Sequence, residues 1–259
     1  MSGNPPTVVT PRLLDTLRSQ PGLPDDVWYT VVATTLCILN RPAEIQAVYR
    51  HAVAADRHDG GADAVADHAR QLRIARRLRE ALLKTSAIGG LPKTINAIQE
   101  LNKAVPPGCI DEPHGESPTG RRRDVHDTPA PQVLRRGKDF FDGCYGKVSG
   151  RVMASLDNSG TEDLGLAVRL AYGYLLSTTA VLSAAETSFV MIAGLIPQDV
   201  NPQLKGHLRG ALNGGASVEQ VRGVRNVSIE VCRAAGMRLL SADDAAAGCW
   251  GWRTEVQDL

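Results

Sequence analysis

The sequence predicts an all-α protein built from two related helical units, and three observations carry that expectation. Ala, Leu, Arg and Glu recur at helical period over long segments, while aromatic residues make up only 4% of the chain and β-branched runs are short. Two capping boxes, Ser183-Ala-Ala-Glu186 and Ser217-Val-Glu-Gln220, and the pairs Gly60-Gly61, Gly89-Gly90 and Gly214-Gly215 punctuate the periodic stretches. The order of these signals in the first half returns in the second.

Taken in order, the first helix is expected from about Asp25, whose acidic start suits the positive end of a helix, through Trp28, Val32 and Leu36 to Asn40. Pro42 fits the first turn of a second helix ending near Ala55. Gly60-Gly61 stop it and Asp63 can cap a third, long helix from Ala64 to Ala87. That helix buries Leu72, Ala75, Leu78 and Leu82 and turns Arg70, Arg73, Arg76, Arg77 and Arg79 to water. A short helix after Pro92 carries Ile95, Ile98 and Leu101. From Pro106 to Gln132 the chain turns to Pro, Gly, Asp, His and Arg, the composition of a solvated linker. Phe140, Phe141 and Tyr145 anchor the next stretch, residues 137–151, and four helices follow at about 161–177, 183–196, 203–213 and 217–235.

Both halves show an apolar helix, a proline turn, a histidine on a second helix, a glycine pair and a long final helix. The organisation read from this is an N-terminal extension over 1–24, a first unit over 25–104, a linker over 105–136, a second unit over 137–240 and a tail over 241–259.

A chain of 259 residues can bury a sizeable core without metal or disulfide staples. Its 29 Lys+Arg balance 28 Asp+Glu, which argues against an electrostatically driven nucleic-acid binder; Arg121-Arg122-Arg123 is a short run cut off by Asp124. No apolar run suits a membrane span or a secretory signal. The five cysteines, Cys37, Cys109, Cys144, Cys232 and Cys249, form no C-x-x-C and suit a reducing compartment. The expected location is cytoplasmic, with mitochondrial and peroxisomal alternatives; Val256-Gln257-Asp258-Leu259 is not read as a receptor address.

The stretch Leu182-Ser183-Ala-Ala-Glu186, the helix after it, and His207-Leu-Arg-Gly-Ala-Leu-Asn-Gly-Gly215-Ala-Ser217-Val-Glu219-Gln-Val221 resemble the carboxymuconolactone decarboxylase family, which shares the AhpD-like helical fold. Gly90-Leu91-Pro92 with Asn96-Ala97 is similar to that family's Gly-x-Pro motif. The resemblance implies an AhpD-like bundle, and an activity that is either disulfide reduction in peroxide removal or decarboxylation of a lactone acid. In the reductases a C-x-x-C pair precedes the histidine by seven and four residues. Those positions here are Val200 and Gln203, so a peroxiredoxin-like dithiol activity would need other cysteines.

The decarboxylase branch implies no cofactor and no metal. Loss of carbon dioxide leaves a dienolate, and Glu186 and His207 are the catalytic candidates: His207 donating to the oxyanion, Glu186 orienting the imidazole or relaying the proton. On antiparallel helices the two lie roughly 6 Å out of register, which two side chains can span. Each also has a plain structural reading. Glu186 closes a capping box, and His207 could donate to a carbonyl in the core. Tyr172, in Ala171-Tyr172-Gly173-Tyr174, resembles the Tyr-Gly pair of the family; it is the substrate-binding candidate or a core filler.

His51, counterpart of His207, lacks an acid upstream and is expected to pack. His51, His58 and His68 match no metal-ligand spacing. Trp28 and Trp250 are read as packing anchors. The leading expectation is therefore a cofactor-free lyase or isomerase acting on a small carbonyl-containing carboxylic acid, with no nucleic-acid or membrane partner. Alternatives are a catalytically silent interaction protein of the same fold and an antioxidant role. Single family units leave apolar helix faces, so a homo-oligomer is expected.

Overall fold

Proline, glycine and capping signals set most element boundaries. The computed structural model describes residues 6–56, 64–112, 115–239 and 249–250. Along them run α1 Pro11–Arg18, α2 Trp28–Ile38, α3 Ile45–Ala55, α4 Ala64–Gly89, α5 Leu91–Ala104, α6 Arg121–His126, α7 Ala130–Tyr145, α8 Ser149–Asp157, α9 Asp163–Ala171, α10 Ala184–Leu195, α11 Asn201–Asn213 and α12 Val218–Ala234. The fold is all-α. Among the described residues, strand pairing is confined to a parallel match of Arg238–Leu239 with Cys249–Trp250. Both capping boxes form, with Ser183 and Ser217 each accepting from the amide three residues on. Pro92 and Pro202 occupy first turns, where their missing N–H costs nothing. Gly90 takes φ 82° between α4 and α5, a left-handed conformation that a side chain disfavours.

Two apolar helices form the centre. Every residue of α2 is buried, and so is α10 from Thr187 to Leu195, because neither has a polar face to offer water. Long helices α4 and α12 each pack against both of them. Thus α2–α3–α4 and α10–α11–α12 share one continuous hydrophobic core. Thr35 joins the halves by donating toward Ala193 O at 3.3 Å and Ser228 Oγ at 3.1 Å. Among the described residues no helix is long and apolar enough to cross a membrane.

Three features depart from the expected organisation. The segment before residue 25 is no loose extension: α1 buries Leu14 and Leu17 against the bundle, capped by Thr10. The region expected as a solvated linker contains α6 and the first turns of α7, with Cys109, Asp124 and Val133 buried. It has few large apolar residues because ion pairs and backbone bonds hold it in place. The helix expected at 161–177 is split, α9 passing at Tyr172 into a π turn that ends at Leu176. The expectations for His58, Gly60-Gly61 and Asp63, and for the Trp250 side chain, lie outside the described residues.

Candidate functional site

Helices α7, α8 and α9 enclose a cleft of about 580 Å³ at one edge of the bundle. Its apolar surface comes from Leu134, Phe141, Met153 and Tyr172, and its rim carries Arg135, Lys138, Asp142, Asp157 and Arg169. The α8–α9 hairpin covers it lightly: between Ser149 and Ala171 only Gly165 is fully buried. The inner wall is far tighter, because α7 crosses the π turn backbone to backbone. A Cβ on Gly137 would stand 2.5 Å from Gly173 N and 2.6 Å from Gly173 Cα. Glycine at 137 therefore brings Tyr172 against α7, where its ring meets Phe141 edge-on at 4.9 Å.

Behind Tyr172 the aromatic cluster continues inward. Phe141 and Tyr145 lie 4.4 Å apart, and Tyr145 meets the His207 ring edge-on at 6.2 Å. Tyr172 is pushed well above the ordinary phenol range by burial, with the neighbouring Tyr145 and Cys144 acting in the same direction. Burial also raises Tyr145, while a hydrogen bond between the two phenols pulls it partly back. Both stay neutral at physiological pH, where a phenol is a hydrogen-bond donor rather than an anion.

Three cations hold the π turn. A helix end leaves carbonyls without partners, and cations satisfy them with charge of the right sign. Arg121 donates to Tyr174 O at 3.0 Å and Leu175 O at 2.7 Å, and forms a bidentate pair with Glu80 at 2.6 and 2.7 Å. Lys84, fully buried, donates to Leu176 O at 3.2 Å and Thr178 O at 2.8 Å, with Glu80 at 3.5 Å. Arg136 donates to Gly173 O at 3.1 Å and pairs with Asp124. Burial pushes the Lys84 ammonium down to about 8, although Glu80 works against the shift. The expected linker is thus the clamp that positions Tyr172.

The structure does not bring Glu186 and His207 together as a hydrogen-bonded pair. Glu186 closes its capping box on Ser183 N at 2.7 Å and forms a salt bridge to Arg77. Arg77 is buried, not on the wet face of α4, and also donates to Tyr29 Oη at 3.0 Å and Asp26 O at 2.9 Å. Burial alone would raise the Glu186 carboxyl, but Arg77 and Ser183 outweigh it and hold the group below its ordinary value. The pairing fails because of register. A Cβ on Gly214 would meet Ala185, so α10 and α11 align with Glu186 six residues, about 9 Å, from the level of His207. His207 is buried, its Nδ1 has no hydrogen-bond partner among the described residues, and burial lowers it to about 4. Of the three sequence candidates, Tyr172 lines the cleft, His207 lies behind it through Tyr145, and Glu186 belongs to a separate ion pair.

The remaining candidates are structural. His51 pairs with Asp15 at 3.0 Å and packs edge-on against Trp28, and His68 contacts Gly108 O at 2.7 Å. Cys37, Cys109, Cys144 and Cys232 are all buried free thiols. Burial raises Cys37 and Cys144 to about 11 and Cys232 to about 12, and pushes Cys109 upward, so none of them is a thiolate at neutral pH.

No family model matches the chain. Two curated relatives do. "Peroxisomal protein 2" of Schizosaccharomyces pombe is 40% identical over 210 residues, covering 81% of this chain and 86% of the relative. "Peroxisomal protein 2" of Saccharomyces cerevisiae is 30% identical over 267 residues, covering 87% and 94%. The chain belongs to the peroxisomal protein 2 family. In this family member, sequence reasoning missed Arg77, Glu80 and Lys84, which lie at i, i+3 and i+7 on one stripe of α4 facing the second half. A charged stripe flanking an apolar one was the signal available. The role of Arg121 left none, because its partners, the Glu80 carboxylate and the carbonyls of Tyr174 and Leu175, stand far from it in sequence.

Proposed function

We propose that the chain is a peroxisomal, cofactor-free lyase or isomerase that acts on a small carbonyl-containing carboxylic acid in the α7–α8–α9 cleft. The observation that carries the reading is Tyr172: one clamped, neutral phenol lines the cleft and is backed by Tyr145. The chemistry it suits is enolate formation. A bond at the carbon beside a carbonyl breaks, releasing either carbon dioxide from a β-carboxylate or a proton to cleft water; its electron pair moves onto the carbonyl oxygen, and water returns a proton to carbon. With substrate bound, the hydrogen bond between the two phenols reverses: Tyr145 donates to the Tyr172 hydroxyl, and Tyr172 donates its one hydrogen to that oxygen as charge develops there, with the neutral His207 ring packed behind Tyr145. Glu186 takes no part in this version of the chemistry.

Turnover of a panel of oxo and lactone carboxylic acids tests the proposal. Tyr172→Phe is expected to lower the rate about 10²-fold, the effect of removing one oxyanion donor. A panel with no substrate, or a Phe variant as fast as the parent, would sink it. The peroxisomal address is supported by the names of both relatives. An N-terminal fluorescent fusion in a yeast host is expected to coincide with a peroxisomal marker; diffuse cytoplasmic fluorescence would refute it.

A catalytically silent scaffold is the second reading, supported by the absorption of Glu186 into a structural ion pair. An antioxidant role has less support, since the four described thiols are buried and protonated. Exposed Leu164, Leu166 and Leu170 on α9 keep a homo-oligomer in the proposal, to be checked by light scattering.

A further inference from the structure

The charged groups on the rim of the cleft do not cancel. Lys138 pairs with Asp142 at 2.5 Å, and Arg169 grips Asp157 through both carboxylate oxygens at 2.6 and 2.8 Å. Among the described residues Arg135 makes no ion pair and no hydrogen bond, so the lining keeps one unspent guanidinium. A planar, always-charged fork of donors is the side chain best matched to a carboxylate. Everything else facing the cavity is apolar or already paired, and 580 Å³ lies within the range of small-molecule sites. The stripe Leu134, Lys138 and Phe141 runs along α7 at helical spacing. Arg135 therefore stands six residues, about 9 Å, before Phe141, which touches Tyr172.

We infer that Arg135 anchors the carboxylate of a monocarboxylic acid whose single apolar chain lies along α7 over Leu134, Met153 and Phe141, its far end at Tyr172. One unpaired cation selects one negative charge. A second carboxylate would be driven into the apolar end of the cleft, where the neutral Tyr172 hydroxyl is too little to offset the desolvation of a full charge. The anchored carboxylate is then a handle held away from Tyr172 and not the group that leaves. This rests on the cleft being the substrate site, as proposed above, and it narrows the substrate class to apolar-chain monocarboxylates.

Calorimetric titration of the full chain with octanoate, octanol and suberate tests it. Octanoate is expected to bind the parent; Arg135→Ala should weaken it about fivefold, in keeping with an ion pair at an exposed arginine, and Arg135→Lys by less. Octanol binding should stay within about twofold in Arg135→Ala, and suberate should bind the parent at least about fivefold more weakly than octanoate. Ala154→Trp, at an exposed lining position, should weaken octanoate and octanol alike by filling the cleft. The inference is overturned by octanoate that fails to bind the parent, by Arg135→Ala binding it as well as the parent, or by suberate matching octanoate. Such a failure alongside Tyr172-dependent turnover would remove this inference alone. Arg135-dependent binding without Tyr172-dependent turnover would remove the catalytic reading and leave the anchor.

Discussion

Helices α2 and α10 and the α8–α9 hairpin are opposite solutions within one chain. The two central helices bury nearly every residue and are covered on both sides by α4 and α12. The hairpin fully buries only Gly165 and leaves Leu164, Leu166 and Leu170 exposed. The difference shows where stability and a binding surface separate. The central helices and those that cover them provide one continuous core, and the cleft forms at the edge where a lightly held hairpin leans on α7. Between them stands the buried Glu80–Lys84–Arg121 cluster, which ties the π turn to the core side of the cleft.

The sharpest way to break this contrast is to remove the carboxylate of that cluster. Glu80→Ala leaves Lys84 and Arg121 without their acid in a nearly water-free site, and is expected to cost about 3–5 kcal/mol in urea unfolding. A loss no larger than that of a surface substitution would show that the cluster does not couple the π turn to the core.

Acid should act next, through His207. The unfolded chain protonates this ring near 6.5, whereas burial holds it neutral down to about 4 in the fold. The unfolded state therefore takes up the proton first. The stabilisation is complete above pH 6.5 and is lost as pH falls from 6.5 to about 4, on the order of 3 kcal/mol in all. His207→Gln should lose less stability than the parent over that interval. Parallel pH dependences would mean that the ring is not held neutral.

Substitution at the crossing sharpens the comparison from the cleft side. Gly137→Ala forces α7 off the π turn and is expected to cost about 1–3 kcal/mol, while changing the environment of Tyr172 in ultraviolet absorbance. An unchanged midpoint would place the tight contact elsewhere. At the other extreme, Leu170→Gln on the hairpin should move stability by less than about 0.5 kcal/mol. A larger loss would mean that α9 is covered in solution, and light scattering of the parent would show by what number of copies.

Much of the fold could be read in the chain because local chemistry decides it. Pro42, Pro92 and Pro202, the capping boxes at Ser183 and Ser217, and helical periodicity act within a few residues. Tyr172 was singled out from its motif, and it lines the cleft. The Glu186–His207 pairing could not be read, because the register of two neighbouring helices is not set by sequence alone, and an offset of about 9 Å leaves the carboxylate to Arg77.

By itself, then, the sequence determined the all-α class, the capped and proline-led helix starts and the absence of a C-x-x-C pair before His207, since each depends on which residues stand near one another along the chain. Tertiary structure alone decided that a polar, proline-rich stretch would become a clamp, that Arg77 would turn inward, and that Arg135 would stand beside a cavity with no ion pair among the described residues. Those outcomes depend on contacts between distant segments, where burial strengthens some charge pairs and helix register chooses which pairs can form.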